Sequence, residues 1–452
     1  MKSHPLAGTG RVLLQICVCF LFASSGYLFW MYRLLEQLLP TAVDFSTDVA
    51  AYLCQAAGVT VFVLAVRRRP TLAGKGPFAL SLGADLALTL LALVVPGPVL
   101  TLITGLAMNL LHGVVAGYYL DRLASRVPWQ RRGLVFGLGY GVASLASWGV
   151  SLLCGGTPLR LFPALVVCVL LAGAALVLAL REPPLPSPEA VSPSPASGTS
   201  GLVLLAAGSV VLLSLVKNLG FNFPAADISQ GIDLEFSRLF YAVGLLAAGL
   251  VSDRSRKWGA LCCLASLGVP FFMAAVSASL QASLLLWILG YLLFGFFTVF
   301  RVLLFTDLSQ QSPSRPWLAA GGLLFGRLGD ALGAGGCLLL GENPPALLAV
   351  TAVLFAGTVL FFLRFYQRMY HAPVRESLPP EEALAAFARQ HALTAREKEV
   401  LSLILAGKTT PEMAEGLFIS ERTVKYHVHN LLGKTGCENR TALTALFRSG
   451  QP

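Results

Sequence analysis

The sequence predicts an all-α protein: a polytopic membrane helix bundle of about twelve spans in two six-helix halves, followed by a small four-helix domain. Three observations lead there. Of the 452 residues, 56% are hydrophobic and 12% charged, whereas soluble domains keep about a quarter of their residues charged, so lipid must solvate most of this chain. Apolar runs of about 20 residues, the length a helix needs to cross the hydrocarbon core, recur from residue 12 to residue 365. After residue 369 the composition changes to that of a soluble helical domain, with capping residues at its helix starts.

The runs place the first six spans at 12–32, 44–66, 77–95, 99–120, 133–154 and 159–180, and the second six at 202–221, 234–251, 258–277, 284–305, 318–340 and 346–365. The basic N-terminal stretch and the first run look like a secretory signal. No small-residue cleavage site follows them, so a retained first span is expected. Residues 181–200 are rich in Pro and Ser, can neither form a helix nor bury a core, and read as a flexible cytoplasmic linker. The expected domains are 1–180 and 201–368 for the two membrane halves, 181–200 for the linker, 369–390 for a joint and 391–452 for the soluble domain.

Basic residues gather in alternate loops: Arg67, Arg68, Arg69 and Lys75 after the second span, then Arg122, Arg126, Arg131 and Arg132 after the fourth. Arg254, Arg256 and Lys257 follow the eighth, Arg315 the tenth, and Arg364 and Arg368 end the twelfth. The loops between carry almost none. The positive-inside rule then puts both termini in the cytoplasm. Much of the net charge of +10 is topology signal, and its sign alone does not point to nucleic acid. The nine cysteines lie mostly inside apolar runs without paired spacing, which argues against disulfides and zinc.

Two loops repeat a pattern, Gly117, Asp121, Arg122 and Arg126 after the fourth span and Gly249, Asp253, Arg254 and Lys257 after the eighth. A small residue allows close helix approach, and the acid and bases can pair across a loop or a helix end. These residues and the six-plus-six layout resemble the major facilitator superfamily over residues 12–366. The family's usual first copy, after the second span, is replaced by Arg67, Arg68, Arg69 and Pro70, without the acid.

Ionisable residues inside spans are costly and mark functional candidates: Asp85, Lys217, Arg238, Arg301, Arg327 and Asp330. Arg327 and Asp330, three apart on one helix, share a face and can simply neutralise each other. Lys217 with Asn218, and His112 with Asn109, can line a midplane cavity between the halves, although a satisfied buried histidine is the commoner case. The candidate ligand pocket is therefore Asn109, His112, Lys217, Asn218, Arg327 and Asp330. The first and fourth spans carry no acid in their middle portions, which favours a sensor over a proton-driven pump.

In the soluble part, residues 381–390 can form a short helix. Thr394 and Glu397 form a capping box that opens a first domain helix, which Gly407 ends. Thr410, with Pro411 behind it, is expected to cap a second helix, Ser420 a third ending at Gly436, and Asn439 a fourth. Val424, Val428 and Leu431 point the third helix at the core. The string Leu393, Thr394, Arg396, Glu397, Glu399, Val400, Leu401, then Gly407 to Thr409, Met413 to Glu415, and Phe418 to Val424 with Lys425, His427, Val428 and Asn430, resembles the LuxR-type helix-turn-helix family. Departures are Thr410 in place of a frequent asparagine, Thr435 in place of leucine, and Gly433 inside a helix, which costs about 1 kcal/mol relative to alanine.

That resemblance implies a third helix entering the major groove of double-stranded DNA and a fourth pairing two copies into a homodimer. Lys425, Tyr426 and His429 share the outer face and are the expected base contacts. Lys408, Thr409, Arg422, Thr423 and Lys434 sit near helix starts or the groove rim as expected phosphate contacts. The expected function is a membrane-bound transcriptional regulator whose membrane part senses an unknown small ligand. The alternative is a major-facilitator-type secondary transporter with an appended DNA-binding domain. No nucleophile elbow, metal-ligand cluster or phosphate loop is present in the sequence, so neither catalysis nor a cofactor is expected.

Overall fold

A computed structural model describes residues 5–37, 45–156, 158–183, 199–222, 234–268, 280–311, 316–340, 343–370 and 380–449. The chain divides into two compact units, Met1–Tyr366 and Gln367–Pro452. Among the described residues the first unit contains α1 (Pro5–Gln37), α2 (Phe45–Arg68), α3 (Lys75–Val94), α4 (Pro98–Arg126), α5 (Arg132–Cys154) and α6 (Leu161–Leu180). The second half adds α7 (Thr199–Asn222), α8 (Leu234–Arg254), α9 (Arg256–Ser266), α10 (Leu280–Gln311), α11 (Gly321–Leu340) and α12 (Pro344–Tyr370). Ten of these twelve are long and apolar enough to span a bilayer. The other two, α8 and α9, fall on the expected eighth and ninth spans, and residues 269–279 of the ninth lie outside the described residues. So do Arg315, the side chain of Arg238, residues 184–198 of the expected linker and residues 371–379 of the expected joint.

Helices α1 and α5, and α2 and α4, pack within the first half; α7 and α11, and α8 and α10, do so within the second. The halves meet where α5 lies along α8 and where α2 lies along α11. Advancing each helix number by six, cyclically, turns one interface into the other, as two copies of one six-helix unit require. Glycines mark the same symmetry. A Cβ on Gly58 would fall 1.8 Å from the Leu110 carbonyl oxygen between α2 and α4, and one on Gly244 would fall 2.1 Å from that of Leu292 between α8 and α10. Only glycine permits backbones to approach so closely.

The two copies of the loop pattern do different work. Arg122 is fully buried and binds Glu182 at 3.2 Å, Asp121 at 3.1 Å and the Ala73 carbonyl at 2.7 Å, tying together the ends of three helices within the first half. In the second copy, Asp253 of α8 accepts the backbone N–H groups of Gly133 (2.8 Å) and Leu134 (2.7 Å), which begin α5. A carboxylate there satisfies helix-end donors that have no partner within the helix and complements the helix dipole. Arg256 binds Asp253 at 2.9 Å and Asp307 of α10 at 2.7 Å, and Arg132 binds Asp307 at 3.0 Å. The second copy thus clasps one half to the other.

The second unit contains α13 (Pro380–Gln390), α14 (Ala395–Leu405), α15 (Thr410–Leu417), α16 (Glu421–Thr435) and α17 (Arg440–Ser449). Helix α13, expected as part of a joint, packs into the domain core: Phe387 is buried with Val400, Leu401, Met413, Val424 and Phe447, its ring 5.2 Å from that of Phe447. The Thr394 and Glu397 capping box is present as expected. The second cap is not Thr410 but Thr409, whose N–H and hydroxyl donate to the Glu412 carboxylate at 2.7 and 2.8 Å. Pro411 therefore occupies the second helical position, where a missing N–H is still harmless, and Thr410 is the first. Ser420 caps α16, Gly436 closes it in the left-handed region at φ 68°, and Asn439 accepts the Ala442 N–H.

Candidate functional sites: an exposed helix face and a charged cavity

Helix α16 follows α15 through a turn in which Phe418 adopts φ 57°. Val424, Val428 and Leu431 are buried against α14 and α15 and fix which face of α16 points outward. Lys425, Tyr426 and His429 lie on that outward face, Tyr426 at 62% exposure. Among the described residues, Lys425, His429 and Arg422 have no hydrogen bond or ion pair, so their donors are available to a ligand. Thr423 shares a hydrogen bond of 2.8 Å with Ser420 at the start of the helix. Lys408 is exposed but lies 3.3 Å from Glu412. Lys434 is the most committed of the group: its ammonium binds Glu397 at 2.7 Å and the Ala392 carbonyl at 3.1 Å.

Electrostatics tighten these caps. Burial pushes the Glu397 carboxyl up, but the bonds from Lys434 and Thr394 outweigh it and hold the group below the ordinary range. For exposed Glu412, the bonds from Thr409 and Lys408 draw its pKa down to about 2.

In the first unit a cavity of about 360 Å³ opens between the halves, lined from α1, α2, α4, α5, α10 and α11. Its lining includes Tyr52, His112, Tyr119, Tyr140, Arg301 and Arg327. Behind this wall Asp330 is 1% exposed and meets three cations: Arg327 at 3.2 Å, Lys217 at 3.3 Å and Arg301 at 3.4 Å. Asn218 donates to the Asp330 backbone carbonyl at 2.7 Å. Asn109 is held by Gly105 at 2.9 Å and accepts from Gln55, a lining residue, at 2.7 Å. Of the six expected pocket residues, His112 and Arg327 line the cavity, while Lys217, Asn218 and Asp330 form a layer behind it.

Sequence reasoning did not place Arg301 or the tyrosines in the pocket; polar-tipped aromatics inside apolar spans were the available signal. It also did not pair Asp85 with His112, which approach to 3.4 Å across α3 and α4, both buried; the Asp85 oxygens and His112 Nε2 have no hydrogen-bond partner among the described residues. Among those residues no group of three or more His, Cys, Asp or Glu side chains forms a metal site.

Residues 391–447 match the family model described as bacterial regulatory proteins, luxR family. The spore germination protein GerE of Bacillus subtilis is 44% identical over 66 residues, which are 14% of this chain and 89% of GerE. The chain belongs to the LuxR family. Other LuxR-family relatives are covered less fully. The uncharacterized transcriptional regulatory protein YhcZ of Bacillus subtilis is 52% identical over 59 residues, 13% of this chain and 27% of YhcZ. The CsgBAC operon transcriptional regulatory protein of Escherichia coli is 51% identical over 49 residues, 11% of this chain and 23% of that protein. The C-terminal unit is thus a LuxR-family DNA-binding regulator domain. The crystal structure of the human organic anion transporter MFSD10 (TETRAN) is similar to this chain with a TM-score of 0.55 and 16% identity, over 81% of this chain and 99% of the transporter. The LuxR-type domain is therefore carried by a multi-pass membrane protein with a major-facilitator-like fold.

Proposed function

We propose that the protein is a one-component transcription regulator embedded in a bacterial inner membrane. A small ligand in the central cavity shifts the balance between arrangements of the two halves. Helix α12, covalently continuous with the C-terminal unit, passes that shift to the DNA-binding domain, which pairs with a second copy on its operator. The basic residues in alternate loops support cytoplasmic termini, where DNA is accessible. The observation that carries the reading is the joining, in one chain, of a LuxR-family domain with an outward helix face and a membrane unit with a charged internal cavity.

Lys425, Tyr426 and His429 are the proposed base contacts, supported by their exposure beside the buried Val424 and Val428. Arg422, Thr423, Lys408 and Thr409 are proposed to hold phosphates. Lys434 can join them only by exchanging Glu397 for a phosphate, and Thr409 only by turning its hydroxyl from Glu412. The domains are proposed to run 1–180, 181–200, 201–368, 369–390 and 391–452.

The test is genome-wide crosslinking and sequencing of DNA bound to the full-length protein, beside a Lys425→Ala control. A set of sites lost in the control is the expected outcome; no enriched site under any growth condition would sink the reading. The likeness to a transporter along nearly its whole length favours a second reading, transport with an appended regulatory domain. Substrate uptake that survives removal of residues 381–452 would favour that one.

A further inference from the structure

Among the described residues, the charges around the central cavity do not balance. Lys217, Arg301 and Arg327 converge on the single carboxylate of Asp330, whose Oδ2 serves both arginines and whose Oδ1 serves the lysine. Asp48, at the start of α2, accepts the Tyr27 hydroxyl at the cavity's edge, and Asp85 faces His112 on another wall. Neither acid lines the cavity, whereas both arginines do. Arg301 is 6% exposed, and the Nε atoms of Arg301 and Arg327 are buried without a hydrogen-bond partner. An arginine fork left part-empty in a low-dielectric site is costly unless an anion completes it.

The space around Arg301 is built for it. A Cβ on Gly326 of α11 would fall 2.5 Å from the Arg301 Nη1 and 3.1 Å from its Cδ, so a larger residue there would make the arginine shift. The same lining carries aromatic rings: Tyr52 lies under Arg327 at 5.1 Å, and Tyr140 packs on Phe20 and Phe136. Guanidinium forks match carboxylates in geometry, and aromatic walls accept flat apolar bodies.

We propose that the cavity takes a small organic anion, an aromatic carboxylate whose head is held by Arg301 and Arg327 and whose ring packs among Tyr52, Tyr119, Tyr140 and Phe136. This rests on the reading of the membrane unit as the ligand-binding part. The carboxylate pairs with the guanidinium groups of the lining and offsets the excess positive charge. A neutral or cationic body of the same shape does neither.

The test is thermal unfolding of the full-length protein in lipid nanodiscs, without DNA. The probes are benzoate, phenylacetate, 3-phenylpropionate and their 4-hydroxy forms, each beside its neutral amide, with phenethylamine as the cation. Anything that binds only the folded state raises the unfolding temperature. At least one acid is expected to do so in a saturable manner, with its amide more than about tenfold weaker. Arg301→Gln and Arg327→Gln are each expected to remove the response, and Arg301→Lys to restore part of it. The proposal is overturned if no acid stabilises the protein, if amides or the amine match the acids, or if the glutamine variants respond like the unaltered chain. If a glutamine variant fails to fold, the acid-against-amide comparison on the unaltered protein decides alone. A carboxylate that binds without changing DNA occupancy keeps this proposal and removes the regulator reading. An amide or amine that changes occupancy where no acid does so keeps the regulator reading and removes this proposal.

Discussion

The cations of α16 and those of the central cavity are the same residue types in opposite surroundings. Lys425 and Arg422 are exposed and have no partner among the described residues, while Lys217, Arg301 and Arg327 are packed around one carboxylate within a membrane bundle. In water an unpaired lysine costs almost nothing and is free to meet a phosphate or a base edge. Inside the bundle the same charge must be offset by its neighbours, which makes those neighbours part of what holds the fold together. A cation's meaning therefore depends on the medium around it more than on its own chemistry.

The largest test of this contrast is Asp330→Asn, which leaves three buried cations without their common acid. A loss of about 3–5 kcal/mol in the stability of the membrane unit is expected, measured by unfolding in nanodiscs. Adding Arg327→Gln should restore part of it, since the two sites share an interaction. Unchanged stability in Asp330→Asn would break the contrast. Lys425→Ala should do the reverse: stability unchanged within about 0.5 kcal/mol, but affinity for its DNA site reduced by about 1–3 kcal/mol in a fluorescence anisotropy titration of the full-length protein. Lys434 is the intermediate case, half-exposed yet bound to the buried Glu397, and Lys434→Ala should cost about 1 kcal/mol of C-terminal stability.

The smallest effect is set by pH. Glu397 and Glu412 both titrate lower in the folded domain than in the unfolded chain, so their stabilisation is complete above the ordinary carboxyl range and is lost as pH falls through the folded values. For Glu412 that window runs from 4.5 down to about 2. Circular dichroism during acid unfolding should show a shallower slope there in Glu412→Gln.

How much of this was legible in the sequence follows the range of each interaction. Caps were readable because Thr394 and Glu397, or Ser420 and Thr423, are three residues apart and carry their own geometry. The error of one residue at Thr409 arose because Thr409 and Thr410 are both competent caps and Glu412 lies at the capping-box distance only from the first. The spans were readable because lipid imposes a length and an apolar content on each helix. The hub at Asp330 was not: Lys217 reaches it across 113 positions and Arg301 across 29, and no local pattern reports which helices become neighbours. The packing of α13 into the LuxR-type core escaped for the same reason, since Phe387 meets Phe447 only in three dimensions.

The missing acid after the second span has a mechanical counterpart. Asp253 anchors the start of α5, and Arg256, Asp307 and Arg132 extend that anchorage to α10, whereas residues 67–75, at the symmetry-related seam, contain no carboxylate. Among the described residues, the α5 seam thus carries ionic pins at its loop end that residues 67–75 do not supply at the α2 seam. The pins are ionic but largely buried, with side-chain exposures of 1% at Arg132, 14% at Arg256 and 16% at Asp307, so salt screens them little and the seam keeps its stiffness as ionic strength rises.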